Sequence, residues 1–306
     1  MYDGCANNDQ CSVSHVYGWP MNSWCVGNVT NMSGLFSNMN TSYSFNESIS
    51  DWDISNVVDT SNMFNGARFF SGNLTTWNTS SIIDMTSMFQ GAEAFDGDLS
   101  SWVTSSVTSM QAMFLNCTSF NGDISSWDTS SVTDFSRLFS GAVAFDGDLS
   151  SWVTDAAVDM SHMFARAYAF NRDLNAWNVT QVTDLSGIFN EARSFDGDLS
   201  LWSVGNVKNM SSAFRYATSF SGNISSWDVT NVVDMSRMFA GSNFNGDLSS
   251  WQVSSVKDMT AMFASSAFNI DINSWDVSSV ESMEGMFQNS RFNTNISTWN
   301  TSSVTR

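Results

Sequence analysis

Proline, basic side chains and long apolar runs are all scarce in this chain. It has one proline in 306 residues, and 11 lysines plus arginines stand against 30 aspartates plus glutamates. The formal charge of −19 repels phosphate backbones and anionic lipids, which argues against nucleic-acid and membrane-surface binding. No apolar run reaches the roughly 18 residues of a membrane span. Residues 1–6 lack the basic and apolar segment of an export signal, so we expect either a mature form or a chain that is not exported.

Cysteine is also scarce, with four copies, which is too few for a disulfide framework. Cys117 falls in a position that other repeats fill with alanine, and we expect it to be a buried thiol. Three pairings are open among Cys5, Cys11 and Cys25. We favour a staple between the N-terminal segment and the first repeat, as Cys11–Cys25 or Cys5–Cys25. A bridge from the third thiol to another chain is the less favoured alternative.

Aromatic side chains are abundant, and the tryptophans recur at a nearly constant interval. After a first interval of 28, the spacing is 25 residues seven times and 24 residues three times. A period of this length indicates one supersecondary unit per repeat, stacked around a single elongated core. The tryptophans are Trp24, Trp52, Trp77, Trp102, Trp127, Trp152, Trp177, Trp202, Trp227, Trp251, Trp275 and Trp299.

Counting each tryptophan as position 0 gives a column pattern. Position +5 is usually valine, +8 is mostly methionine, and +11 is methionine, leucine or isoleucine in nearly every repeat. A second phenylalanine stands at +18, or at +17 in the three shorter repeats, and we expect a loop to absorb that deletion. Position +12 is always phenylalanine, at Phe36, Phe64, Phe89, Phe114, Phe139, Phe164, Phe189, Phe214, Phe239, Phe263 and Phe287.

These columns predict the local structure of each repeat. Alternation around the tryptophan, with positions 0 and +2 facing inward, predicts a short strand. Inward residues at +8, +11 and +12 predict one or two helical turns, with Asp at +7 as the N-cap. The sequence therefore predicts an α/β solenoid of 11–12 rungs over residues 24–306. We expect one parallel sheet, short helices on the opposite face, and an N-terminal cap over residues 1–23.

The repeat resembles known families. Leu99-x-x-Trp102-x-Thr104-x-x-Val107 is similar to the strand half of a leucine-rich repeat. The whole unit, over residues 24–306, resembles the repeat of BspA-like surface proteins. The resemblance implies a right-handed leucine-rich-repeat stack in an extracellular, cell-surface protein of bacteria, protists or algae. It implies a role in adhesion or surface structure, and it brings no enzymatic residues with it.

An aspartate column stands four residues before the tryptophan. Rungs stacked roughly 4.8 Å apart would bring like charges together, and a calcium ladder is one way to neutralise them. The alternative is that each aspartate caps its own turn in water. Asparagine replaces aspartate at Asn73, Asn223 and Asn295, which favours capping, so we predict no metal site. The column comprises Asp98, Asp123, Asp148, Asp173, Asp198, Asp247 and Asp271.

Twelve Asn-x-Ser/Thr sequons predict N-glycosylation if the source is eukaryotic. Position +1 is expected to face outward, so a glycan there would meet no core. O-linked sugar on the serines and threonines beside the strand is the other possibility, against bare solvated hydroxyls. The candidate asparagines are Asn28, Asn31, Asn40, Asn46, Asn73, Asn78, Asn116, Asn178, Asn209, Asn223, Asn295 and Asn300.

Nothing in the pattern points to catalysis. His15 and His162 have no partner motif and are read as solvated surface residues. The methionine columns are read as core rather than as a soft-metal site. We therefore predict no enzyme and no cofactor.

Two functional hypotheses follow. In the first, the uncapped C-terminal rung binds the N-terminal face of the next subunit and builds a head-to-tail fibre. In the second, a monomeric adhesin binds sugar or protein on the sheet face. The candidate subunit contacts are Trp19, Trp24, Phe287, Phe292, Trp299 and Val304.

Overall fold

The computed structural model describes residues 21–38 and 45–306. Within these residues the regular elements are one 3₁₀ helix, Met21–Ser23, and a series of isolated parallel bridges. Each bridge joins position +7 of one repeat to position +7 of the next, so consecutive repeats lie side by side in chain order. The bridges are Asn31–Asp59, Asp59–Asp84, Asp84–Ser109, Ser109–Asp134, Asp134–Asp159, Asp159–Asp184, Asp184–Asn209, Asn209–Asp234, Asp234–Asp258 and Asp258–Ser282.

The segment around each tryptophan differs from the expected strand. The Trp102 N–H donates to the Leu99 carbonyl at 3.1 Å, a bond that closes a four-residue β-turn. The cause lies in the side chain just before the turn, because Asp98 Oδ1 accepts the Ser100 N–H at 2.9 Å. Such local bonds compete with a strand ladder. Each repeat is therefore built from successive turns and carries no multi-residue strand in the described part of the chain.

The segment from +8 to +14 differs from the expected helix as well. Its N–H groups at even-numbered positions donate to the next repeat, as in Phe114 to Leu138 at 2.9 Å and Asn116 to Ser140 at 2.7 Å. The N–H groups at +11 and +13 donate three residues back, as in Met113 to Met110 at 3.1 Å. The bonds to the next repeat are possible because the backbone alternates in handedness, with φ of 53° at Ala112 and 56° at Asn116. All described residues with positive φ stand at +10 or +14.

Aromatic columns form the interior. Phe114 stacks on Phe89 at 5.7 Å, and on Phe120 of its own repeat at 4.0 Å. Trp102 and Trp127 lie 6.2 Å apart with nearly parallel rings. One hydrophobic cluster runs from Met21 to Met286. Because each ring removes about 150–250 Å² from water, these columns supply a large part of the apolar burial.

The one-residue deletion in the later repeats leaves the second phenylalanine column intact. Phe244, at +17, still stacks on Phe220 at 5.8 Å and on Phe239 at 4.5 Å. The deletion falls in the loop between the two columns, as the sequence predicts. Of the predicted N-terminal cap, only residues 21–23 are described, and the Met21 carbonyl accepts the Trp52 indole N–H at 2.9 Å.

Candidate functional site

Every repeat is joined to the preceding one by an indole hydrogen bond. The Trp127 Nε1–H donates to the Leu99 carbonyl at 3.1 Å, and the Trp152 Nε1–H donates to the Ile124 carbonyl at 3.1 Å. The bonds continue to Trp299, whose indole donates to Ile272 at 3.2 Å. Each bond provides an acceptor for a buried indole N–H. A leucine at the same position has no such donor and would not need the bond.

Hydroxyl side chains form a second ladder on the outer face. Ser101 Oγ donates to the Thr75 carbonyl at 2.7 Å, and Ser126 Oγ donates to the Ser100 carbonyl at 2.9 Å. In most repeats the residue just before the tryptophan is serine or threonine, and its hydroxyl binds the backbone of the preceding repeat; Asp51, Ala176 and Leu201 take this position in three repeats. Many of the surface serines that would otherwise be free for a ligand are used to hold repeats together.

A third ladder runs through the position just after the second phenylalanine. Asp96 Oδ1 accepts the Asn121 N–H at 2.8 Å, and Asn121 Oδ1 accepts the Asp146 N–H at 2.9 Å. Asp146, Asn171 and Asp196 continue it. Aspartate and asparagine alternate here, so like charges are kept two repeats apart.

The aspartate column before the tryptophan caps turns, as the second of the two sequence readings holds. Asp123 Oδ1 accepts the Ser125 N–H at 3.0 Å, and Asp148 Oδ1 accepts the Ser150 N–H at 2.9 Å. Hydrogen bonds from Ser125 lower the pKa of Asp123, and those from Ser150 lower the pKa of Asp148. The replacements keep this bond, since Asn223 Oδ1 accepts the Ser225 N–H at 3.1 Å.

Among the described residues, no group of three or more His, Cys, Asp or Glu side chains is placed to hold a metal ion. Aspartate at +7, the predicted N-cap, does accept the N–H two residues on, as Asp134 does from Ser136 at 2.8 Å. The segment that follows is the alternating one described above and not a helix.

Eleven of the twelve candidate glycosylation asparagines are described, and Asn40 lies outside the described residues. Asn209 is half-buried and the other ten are exposed. Four of them use their Nδ2, the atom a glycan would occupy, in a hydrogen bond to a neighbouring side chain. These are Asn31, Asn46, Asn178 and Asn209.

The two described cysteines are a buried thiol and a disulfide-bonded residue, as the sequence predicts. Cys117 is a free thiol that is fully buried, and burial raises its pKa. Its Sγ lies 3.0 Å from the Ala92 carbonyl oxygen. Cys25 is disulfide-bonded. Its proposed partners, Cys5 and Cys11, lie outside the described residues, so the pairing stays a prediction.

The described histidine and the methionines of the +8 column differ in burial. His162 is half-buried, and desolvation lowers its pKa, with the charge of Arg137 acting in the same direction. His15 lies outside the described residues. Described methionines of the +8 column, such as Met110 and Met160, are fully buried in the core.

One open groove lies on the outer face of the last repeats. Its volume is about 1040 Å³, and it is lined mainly by polar side chains of the positions flanking the tryptophan. The cap bonds hold Asp247 and Asp276 in place along it. The lining residues include Asp247, Asp271, Asn273, Asp276, Thr298 and Asn300.

The two end faces of the described stack carry the predicted subunit contacts. Phe287 and Trp299 are half-buried and stack on Phe263 at 5.9 Å and on Trp275 at 6.5 Å. Phe292 stacks on Phe268 at 6.3 Å. Val304 is half-buried at the same end.

At the opposite end, Trp24 is half-buried and stacks on Trp52 at 6.3 Å. Trp19 lies outside the described residues. Leu35 occupies the +11 column, which is buried in the repeats that follow, but here the side chain is 37% exposed. This end thus presents an apolar side chain that the stack covers everywhere else.

Comparison with known proteins places the chain in a family. No curated protein sequence matches it. The described part of the chain contains no helix with the length and apolarity of a membrane span. Residues 12–125, 98–202 and 209–306 each match one family, in agreement with a tandem-repeat protein. The chain belongs to the family described as Mycoplasma protein of unknown function, DUF285.

Proposed function

We propose that this is a non-enzymatic structural protein of the cell surface or extracellular space that assembles end to end into a fibre. In this proposal the stack is a right-handed solenoid of the BspA-like leucine-rich-repeat kind. Partners other than itself are carbohydrate or surface proteins. Sugars on outward-facing asparagines, most of which are exposed, would keep the sides of the fibre solvated.

The observation that carries the proposal is the direction of the backbone hydrogen bonds. From +8 to +14, the even-numbered N–H groups point to the next repeat, and the carbonyls that accept them point back. The 275–298 repeat therefore presents the N–H groups of Gly285 and Phe287 toward the end face. The first repeat carries the carbonyls of Ser33 and Leu35, in positions that accept such bonds in later repeats, and neither accepts a backbone N–H from residues 21–38 or 45–306. The two ends are complementary donors and acceptors.

Burial of apolar side chains favours the same end-to-end contact as these hydrogen bonds. A second copy docked end to end would place the +11 and +12 columns of one subunit on those of the other. Leu35 of one copy and the half-buried Phe287 and Phe292 of the next would lose their remaining exposure. A contact between two different faces does not close on itself, so it continues as a filament.

The test is negative-stain electron microscopy combined with a pair of end-face variants. Leu35→Lys and Phe292→Lys each place a charge on one end, and each leaves the other end intact. We expect filaments of the parent protein, monomers of either variant alone, and dimers from an equimolar mixture of the two. Leu201→Lys adds the same charge to a side chain that is 74% exposed elsewhere, and this control should still form filaments.

Discrete short rods of the parent protein at high concentration would contradict the fibre. The second candidate is a recognition module, and the specific observation in its favour is the polar groove lined by Asn273, Thr298 and Asn300. Binding of a sugar to monomeric rods, abolished by Asn273→Ala, would support that function instead.

A further inference from the structure

Arginine is concentrated in the middle of this acidic chain. Seven of the 11 lysines plus arginines fall between residues 137 and 237. Five of them are arginines between +10 and +16, one in each of five consecutive repeats. We name this set the arginine strip: Arg137, Arg166, Arg193, Arg215 and Arg237.

The strip faces solvent along the alternating segment of the repeat and the two residues after it. Arg215 is half-buried and the other four are exposed. Ion pairs elsewhere join Arg68 to Glu93 and Arg172 to Asp146. Within residues 21–38 and 45–306, the arginines of the strip take part in no ion pair. Apart from the Arg166 Nε–H, their guanidinium N–H groups donate to no group in the described part of the chain and can bind an acidic partner.

Two tyrosines hold part of the strip in place. The Arg193 guanidinium lies 4.8 Å from the Tyr168 ring centroid, and the Arg215 guanidinium lies 4.7 Å from the Tyr216 ring centroid. Arg166 Nε also donates to the Tyr168 hydroxyl at 3.4 Å. Arginine and tyrosine are enriched at the energetic centres of protein interfaces, and ordering them in advance lowers the entropic cost of binding.

Acidic groups near the strip are few and are mostly occupied. Glu191 is the one acidic residue at positions +10 to +16 of these five repeats, against five arginines. Along the border, the +7 aspartates are half-buried. Asp159 and Asp184 each accept a backbone N–H two residues on, at 2.8 Å and 2.7 Å. The strip is therefore a positive surface on a molecule of charge −19.

The aspartate column of the same chain has the opposite charge and the same interval of one residue per repeat. It offers one exposed carboxylate per repeat over five consecutive repeats, which are Asp98, Asp123, Asp148, Asp173 and Asp198. Both sets inherit their axial interval from the stacking of the repeats. Five guanidinium groups and five carboxylates on two parallel stacks thus share one axial interval, while the arginines are spread across the face from +10 to +16.

We propose that the arginine strip docks against the aspartate column of a second copy, side by side. This contact joins molecules laterally, so it is distinct from the end-to-end contact and would bundle fibres. The backbone N–H two residues on donates to each of these carboxylates and already holds it in a fixed position. Because both surfaces are exposed, the contact depends strongly on salt.

The test is sedimentation velocity in the Phe292→Lys background, which removes the end-to-end contact. Salt is raised from about 10 mM, where the Debye length is about 30 Å, to about 1 M, where it is about 3 Å. We expect dimers or larger species at low salt and monomers at high salt. Arg166→Ser, Arg193→Thr and Arg215→Ser, combined, should give monomers throughout. These replacements copy residues found in the same columns of other repeats.

The partner surface is tested by Asp123→Asn, Asp148→Asn and Asp173→Asn, combined. Asparagine keeps the turn-capping bond, as Asn223 shows, so only the charge is lost. We expect monomers at all salt concentrations, and normal self-association of the control, Arg68→Thr with Arg291→Thr. Retained self-association of either triple variant would overturn the proposal. So would a parent that is monomeric at low salt yet binds a sulfated polysaccharide, because the strip would then belong to another partner.

Discussion

The residue-scale feature that shapes this protein is a left-handed backbone conformation at two positions of every repeat. Fifteen of the positive-φ positions, among them Ala112, Arg137 and Ser265, hold residues other than glycine. Such a residue costs about 1–2 kcal/mol in this conformation. The cost is offset between repeats, because the handedness alternation aims the N–H groups at the next repeat, as from Ser265 to the Gln288 carbonyl at 2.7 Å.

Relieving this strain at one exposed position should stabilise the protein. Ser265 has φ of 55° and is exposed, so Ser265→Gly removes the Cβ conflict while keeping the backbone bond. The gain is reduced by the extra flexibility of glycine in the unfolded chain, about 0.5–1 kcal/mol. We expect a net gain of up to about 1 kcal/mol in the free energy of unfolding, measured by urea denaturation.

The matched control is Ser254→Gly, at an exposed position that does not have positive φ. At this position glycine relieves no strain and only makes the unfolded chain more flexible. We therefore expect Ser254→Gly to destabilise the protein by about 0.5–1 kcal/mol. Equal effects of the two substitutions would contradict the role given to the left-handed conformation.

At the scale of the element, the tryptophan turn replaces the strand that the sequence predicts. The alternation of Leu99, Trp102 and Thr104 correctly indicates which side chains face inward, because a chain of turns buries the same side chains. What the pattern does not reveal is the local competition from Asp98, whose bond to the Ser100 N–H makes Leu99–Trp102 a turn.

The other elements were predicted to different degrees. The aromatic columns and the buried Cys117 follow from the sequence, because the repeat period is set by packing. The indole ladder could not be predicted, since its acceptors are backbone carbonyls that any residue carries. The arginine strip did leave a signal, namely basic residues clustered in consecutive repeats.

The turn caps predict how the protein responds to acid. Hydrogen bonds from serine lower the pKa values of Asp98, Asp123, Asp148 and Asp198 below their ordinary value of 3.8. A carboxyl whose folded pKa is depressed adds stability above its unfolded pKa, and that stability is lost as pH falls through the folded pKa. The caps should therefore stabilise the protein fully at neutral pH and lose this effect below about pH 4.

Thermal unfolding measured from pH 7 to pH 2.5 checks this. The four-fold variant with asparagine at these positions should have a lower Tm than the parent at pH 7. Its Tm should fall less steeply on acidification, so that the two curves converge. A single Asp98→Asn variant should give a smaller change in the same sense. Parallel curves for parent and variant would show that the caps do not cause the acid response.

At the scale of the whole molecule, each repeat contacts its two neighbours through bonds that recur along most of the stack. The indole, hydroxyl and Asp/Asn ladders all join a repeat to the one before or after it. Stability in such an array is approximately a sum of repeat terms and interface terms. A whole repeat can then be removed if the residues that become neighbours make the same contacts.

Deletion of residues 127–151 tests this. The cut removes one complete 25-residue repeat and brings the 102–126 repeat onto the 152–176 repeat, with all columns in register. Trp102 then faces Trp152, and Asn121 faces Asn171. Because both asparagines are uncharged, this pair brings no like charges together. We expect a folded, cooperative protein whose urea m-value is lower by about a tenth, in proportion to the surface buried.

The contrasting deletion removes residues 127–138, about half a repeat. It leaves Phe139 where the next tryptophan should stack and breaks the ladder from Leu99 to Trp127. Because inward and outward positions no longer coincide, core side chains on one side of the cut meet polar residues on the other. We expect loss of the cooperative transition and binding of a hydrophobic dye. If both deletions unfolded the protein equally, the repeats could not be independent units joined by nearest-neighbour contacts, and the end-to-end docking of a second copy would lose its physical basis.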